Sequence, residues 1–318
     1  MADAPAVSVV MPVHNREVLV GRAIRSILDQ NFEDFEFVIV DDGSTDGTAN
    51  TIRQFADSRI SLVSLPMNCG IAMARNFGLN LARGAFIATM DSDNVALPDR
   101  LGRQVEFLLA HPEIDILGTN AFHIENGARD SGVHHEGDDR IKARLLALDG
   151  SSLFHSTMMV RAEFLRRNGL RYPMVPVDED HAFWIDAMVG GARFHVLQEH
   201  LLERHRHDGN FTAPGGPASS YQFPRKTPMR ARVLGLFFPQ LTHEEAAAIA
   251  TWMEEGRKHS LIDVCMALAA IRKASTDAKS HWGESKPEVI RILSHHVTRA
   301  VQALSPQGSS GKTMPGSL

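Results

Sequence analysis

Cysteine is almost missing from this chain: 318 residues carry two, Cys69 and Cys265, far apart in sequence. Neither a disulfide framework nor a paired CxxC zinc site can be built from them, which fits a reducing compartment. An excess of positive charge is missing too. With 33 Lys and Arg against 38 Asp and Glu the net charge is −5, and nothing points to a nucleic-acid partner. No apolar run approaches the ~20 residues that a membrane-spanning helix needs. The acidic start, Met1 to Ala6, lacks the apolar stretch of a signal peptide. These absences predict a cytoplasmic protein, with a surface helix at the inner face of the plasma membrane as the one route to peripheral membrane contact. Glycine is missing where two nucleotide-binding folds require it. The turn after the first apolar run reads Pro12-Val13-His14-Asn15, and no GxxxxGK[ST] occurs; dinucleotide oxidoreductases and P-loop enzymes are thereby set aside.

What is there is an alternation of two periods. Val7 to Val13 and Phe35 to Val40 are short apolar runs that read as buried strands, and Arg59 to Leu65 and Ala85 to Met90 read as a third and a fourth strand. Between them, Glu17 to Gln30, Asp46 to Phe55 and Ile71 to Leu81 carry helical spacing, and Pro98 is placed to open a further helix. This predicts an α/β domain with a mostly parallel, Rossmann-like sheet flanked by helices. From Ile114 to Asn210 the pattern is less regular. Short apolar runs at 114–118, 157–160 and 194–197 mix with helical segments at 138–148 and 179–189, and complete the same domain. Ala213 to Ser220 has linker composition. The expected division is 1–213 as the catalytic domain, 214–304 as a helical C-terminal region and 305–318 as a disordered tail rich in Gly, Ser and Pro. In the helical region Thr242 and Glu245 form a capping-box signature, and 262–271 and 289–304 read as two more helices.

The unusual polar residues fall at the ends of the predicted strands. His14-Asn15 follows the first, Asp41-Asp42 the second, and Asp91-Ser92-Asp93 the fourth. In an open parallel sheet these ends lie on one edge, where ligands bind. Carboxylates crowded there raise one another's pKa unless a positive group lies between them. A hard divalent cation with oxygen ligands meets that need, and a diphosphate is a natural second partner for it. Each cluster alone also reads as a turn or a helix cap. Their joint placement favours a site, since independent caps need not all fall at strand ends.

Five ordered segments resemble family 2 glycosyltransferases with the GT-A fold. They are Val7 to Arg16; Val40-Asp41-Asp42-Gly43-Ser44-Thr45-Asp46-Gly47-Thr48; Asn68-Cys69-Gly70 through Asn76; Met90 to Asn94 through Pro98-Asp99-Arg100; and the pair Phe154 to Met159 with Asp178 to Trp184. The resemblance runs from about Val7 to Thr212. It implies an inverting hexosyl- or N-acetylhexosaminyltransferase that moves a sugar from a UDP-sugar to a saccharide or lipid-linked saccharide in cell-surface polysaccharide synthesis, such as capsule or lipopolysaccharide. It places Pro12, His14, Asn15, Asp42, Arg75, Asp91, Ser92 and Asp93 at the donor, with Asp42 on the uracil. It makes Asp93 and His207 the ligands of Mn²⁺ or Mg²⁺, Asp180 the base that deprotonates the acceptor hydroxyl, and His155, Glu179 and Trp184 the acceptor side. Asn94 stands where many members have a further aspartate. His205 competes with His207 for the metal role, because the segment Arg204-His205-Arg206-His207 departs from the family's Tyr-Arg-x-His.

Two rivals come from other classes. Phe86 to Met90 followed by Asp91-x-Asp93-x-Val95 fits the nucleophile motif of haloacid-dehalogenase-like phosphohydrolases, although their second acidic pair lies downstream and Asp41-Asp42 lies upstream. A catalytically inactive nucleotide-sugar-binding scaffold is the other. The stretch from Arg225 to Leu241 mixes basic and apolar residues. It fits an anionic membrane surface or packing onto the catalytic domain or a second subunit in a homo-oligomer, and packing is favoured because amphipathic helices usually cover cores.

Overall fold

A computed structural model describes residues 4–132, 137–147, 153–175, 178–207, 226–253, 261–276, 289 and 291–295. The chain divides into two compact units, Met1–Phe223 and Pro224–Leu318. The first unit is built on strands β1 (Val7–Val13), β2 (Phe35–Asp41), β3 (Ile60–Ser64), β4 (Phe86–Thr89), β5 (Val95–Ala96), β6 (Ile116–Glu125), β7 (Ala128–Gly132), β8 (Met159–Arg161) and β9 (Phe194–His205). Its helices are α1 (Val20–Leu28), α2 (Thr48–Arg53), α3 (Ile71–Leu81), α4 (Arg100–Ala110), α5 (Asp138–Ala147), α6 (Ala162–Arg167) and α7 (Glu179–Val189), with a 3-10 turn at His155–Thr157.

The sheet order is β3-β2-β1-β4-β8-β6-β9-β5, with β7 attached to β6. The first four strands are parallel, as the alternation predicts. Beyond β4 the sheet is mixed: β8 is antiparallel to both β4 and β6, and β9 returns parallel to β6. Burial follows position. Every residue of central β1 is buried, while edge β3 is half-buried. Helix α1 turns Val20, Ala23, Ile24 and Ile27 onto the sheet at helical spacing, and each fully buried aliphatic side chain there contributes about 1.5–3 kcal/mol.

The structure adds to the sequence reading in three places. Strands β6 and β9 run well past the apolar runs that signal them, because their second halves carry His, Glu and Arg among the apolar residues. The β6–β7 hairpin turns at Asn126-Gly127, both at positive φ (50° and 79°), the geometry of a tight two-residue hairpin. Pro98 precedes α4 instead of opening it. Its carbonyl accepts the Asn31 N–H (2.9 Å) and the Leu97 N–H goes to Leu201 (3.0 Å), which ties this stretch to neighbouring segments.

The second unit holds α8 (Lys226–Phe237), α9 (His243–Trp252) and α10 (Leu261–Thr276). The Thr242–Glu245 capping box is formed reciprocally, with bonds of 3.2 and 2.8 Å. The expected linker at 213–220 and the tail from Ser305 lie outside the described residues. Among the described residues no helix is long and apolar enough to cross a membrane.

Candidate active site

Because β2, β1 and β4 are parallel neighbours, their carboxyl ends share one edge. Val13 sits opposite Asp41, the Asp42 N–H bonds the Val13 carbonyl (2.8 Å), and the Met90 N–H bonds the Val10 carbonyl (3.0 Å). Asp42 and the Asp91–Asp93 turn are therefore brought to the same edge. Pro12 fits here for a backbone reason. Alternate residues of β1 face β2 and β4 in turn, so the position of Pro12's missing N–H falls on the β4 side, past the last β1–β4 pair at Val10–Thr89.

At one end of this edge the backbone does the holding. The Asp42 carboxylate accepts the N–H groups of Cys69 (2.7 Å) and Gly70 (2.9 Å). Gly43 permits that approach: its φ is +66°, and a Cβ there would come within 2.4 Å of the Met67 backbone. His14 Nδ1 donates to the Asp42 carbonyl (2.8 Å). Asn15, left-handed at φ 50°, accepts the Thr45 N–H on its side chain (2.8 Å) and donates its own N–H to Ser44 (2.9 Å).

At the centre, side chains from distant segments hold one another. Buried Arg75, from α3, donates to Glu179 of α7 and to Asp91 (3.3 Å), and its guanidinium lies 5.3 Å from the Tyr172 ring centre. Ser156 also donates to Asp91 and accepts from Asn94 Nδ2 (2.8 Å), while Asn94 Oδ1 accepts the His205 N–H (3.1 Å). Asn94 thus needs an amide. Its donor half serves Ser156, and a carboxylate there would crowd Asp91. Burial pushes Asp91 up, but Arg75 and the Ser156 bond outweigh it and hold the carboxyl below its ordinary value. His155 adds no charge to this balance at neutral pH. Burial first, and Arg75 second, push its imidazole down to about 3, and its Nε2 pairs with the Tyr172 hydroxyl at 2.8 Å.

Asp93 and Asp180 have opposite settings. Burial and then the like charge of Asp91 raise the Asp93 pKa, against the pull of Arg16 and His207. His207 Nε2 is 3.3 Å from Asp93 Oδ2, so the two residues expected to share a metal meet. Among the described residues no three His, Cys, Asp or Glu converge as a complete ligand set. Two protein ligands fit a cation whose remaining positions are filled by diphosphate oxygens and water. His205 is the lesser candidate, since its Nε2 lies 3.6 Å from Glu203. Asp180, next to Glu179 on the first turn of α7, accepts the His181 N–H (2.8 Å) and lies 3.2 Å from His181 Nδ1. Burial pushes it up, but His181 and Arg75 overcome this and hold it well below the ordinary carboxylate range, hence ionised. Glu179 is raised, chiefly by burial, although Arg75 holds it.

Trp184 is 1% exposed and donates to Met158 Sδ (3.4 Å), underneath the site. Ser92 is buried and sits between the two aspartates of the turn. Sequence reasoning missed Tyr172. It joins Arg75 to His155, and Asn76 holds its backbone at both N–H (2.9 Å) and C=O (2.8 Å). No local signal marks it, because Arg75, Asn76 and His155 lie far from it in sequence.

This mixed sheet, with its acidic edge and helical second unit, has the architecture of the GT-A glycosyltransferases. Staphylococcus aureus TarS 1–349, solved in complex with UDP-GlcNAc, is similar in fold with a TM-score of 0.62 at 19% identity, covering 95% of this chain and 93% of that one. Residues 8–169 match the family described as Glycosyl transferase family 2, and the chain belongs to that family: it is a glycosyltransferase. Two Bacillus subtilis relatives agree. EpsE, named as a glycosyltransferase, is 32% identical over 209 residues, 64% of this chain and 74% of its own. TuaG, named as a glycosyltransferase of teichuronic acid biosynthesis, is 30% identical over 206 residues, 63% of this chain and 78% of its own. The phosphohydrolase alternative draws on the Asp91-x-Asp93 motif, and the family 2 match over residues 8–169 takes in that motif.

Proposed function

We propose that the protein transfers a sugar, with inversion, from a UDP-sugar to a hydroxyl of a saccharide or lipid-linked saccharide during cell-surface polysaccharide synthesis in the cytoplasm. The observation that carries this reading is that backbone-held Asp42 and the Asp93–His207 pair lie at the carboxyl ends of parallel neighbours, and that Arg75 ties Asp91 of the same turn to Glu179, the residue beside ionised Asp180. Asp42, with His14 and Asn15 beside it, suits the uracil end of the donor. Asp93 and His207 would hold Mn²⁺ or Mg²⁺, which when bound supplies positive charge against the leaving diphosphate. Asp180 Oδ1 is held by His181, which leaves Oδ2 for the proton of the acceptor hydroxyl in this reading. Glu179 acts by holding Arg75 and so fixing the first turn of α7. His155 and Trp184 line and support the acceptor side. The TarS complex with UDP-GlcNAc supports a UDP-sugar donor, and the name of TuaG supports a polysaccharide setting.

The test is a screen of nucleotide sugars with and without a chelator, reading released nucleoside diphosphate. Turnover is expected with a UDP-sugar and is abolished by chelation. Asp93→Ala and His207→Ala are each expected to weaken metal-dependent UDP binding by about 10- to 100-fold. Turnover that ignores the chelator overturns the metal role.

A further inference from the structure

Arg100 is fully buried at 0% exposure, and among the described residues no carboxylate contacts it. Burying a guanidinium without an ion-pair partner is costly, and such a group is normally paired or replaced by an apolar side chain. Here its donors go to three neutral acceptors. Nη2 donates to the Thr89 carbonyl (2.7 Å), Nη1 points to Met90 Sδ (3.5 Å) and Nε donates to Gln104 Oε1 (3.2 Å). Thr89 and Met90 are the two residues directly before Asp91. Burial lowers the Arg100 pKa to about 9, with Asp91 the opposing charge, so the group stays cationic at neutral pH.

The contacts continue into a closed circuit. Thr89 Oγ1 donates to the His155 carbonyl and lies 3.2 Å from the Met158 carbonyl. Gln104 Nε2 donates to the Thr157 carbonyl (2.7 Å). The exit of β4, the first turn of α4 and the turn 155–158 are thereby locked together, and that last turn carries the Ser156 that holds Asp91. Nothing in the packing of an apolar core demands an arginine at this place.

We propose that Arg100 is a positioning residue for the Asp91-Ser92-Asp93 turn, fixing its backbone from the buried side so that Asp93 meets metal and diphosphate in one geometry. This rests on the donor-site reading above. Arg100→Met replaces the buried cation with an unbranched apolar chain. It is expected to keep the fold by circular dichroism, with a melting temperature somewhat below the parent's because the Thr89 carbonyl and Gln104 Oε1 lose their donor, while UDP binding by the folded protein in saturating Mn²⁺ weakens about 10- to 100-fold by calorimetry. Arg100→Lys keeps a cation that can reach the Thr89 carbonyl but loses the fork that also serves Gln104, so its affinity should fall between the other two. A folded Arg100→Met or Arg100→Lys protein that binds UDP as tightly as the parent overturns the proposal. So does a loss of binding that only tracks the unfolded fraction. A parent that binds no UDP with Mn²⁺ overturns the donor-site reading itself, and that failure shows before any substitution is made.

Discussion

The two halves of the sheet hold their acidic groups by different means. On the β2–β1 side, Asp42 is fixed by two backbone N–H groups from one nearby loop, and His14 and Asn15 bond within the same neighbourhood. On the β4–β8 side, Asp91 and Glu179 are fixed by Arg75, and Asp91 also by Ser156, both from separate segments, with Asn94 and His181 adding side-chain contacts from beside Asp91 and Asp180. A backbone clamp is rigid, electrically fixed and indifferent to most side chains. A side-chain clamp made of charges is a mutual dependence, in which loss of one member leaves another buried and uncompensated.

That contrast sets how each half should fail. The largest effect is expected at Asp180. Asp180→Asn should lower transfer by about 10²- to 10⁴-fold while UDP affinity, measured by titration, stays at the parent's value. Normal transfer by this variant removes Asp180 from the role of base. Next comes Arg75→Met, which strands Glu179 and Asp91 and should cost about 3–5 kcal/mol in urea unfolding. Adding Glu179→Gln and Asp91→Asn should recover much of that loss, and no recovery would mean that the clamp is not electrostatic. On the other side, Asp42→Ala removes two charge-assisted bonds and should cost about 1–3 kcal/mol, with weaker UDP binding but no cascade onto other residues. The smallest effect is a slope with pH. His155 is neutral in the fold down to about pH 3, whereas the unfolded chain takes up its proton near pH 6.5. Between these values the unfolded state binds more protons, so stability falls as pH drops, by about 1.4 kcal/mol per pH unit from this group. Unfolding midpoints of His155→Gln followed from pH 7 to pH 5 should show a correspondingly flatter slope.

The same contrast explains what could be read beforehand. Every element of the parallel half was legible, because β1, β2 and β4 are largely apolar, β3 falls in its place in the alternation, and the helices between them carry helical spacing. The strand ends were legible as a site because parallel neighbours necessarily align their carboxyl ends. The far ends of β6 and β9 were not, since their pairing is decided by each other and by the β7 hairpin. Asn94 illustrates the limit. In sequence it looks like a weakened aspartate, and in the fold it is a crosslink that requires an amide.

By itself the sequence determined the α/β alternation, the edge on which its carboxylates gather and, through five ordered motifs, the family. These depend on local periodicity and on chain order. Only the tertiary structure decided which carboxylates are spoken for. Arg75 is shared between Asp91 and Glu179, Tyr172 joins Arg75 to His155, and Arg100 is buried behind the Asp91 turn. Such pairings span tens to more than a hundred residues of chain. They exist only because packing excludes water and leaves each charge to find its partner inside the protein.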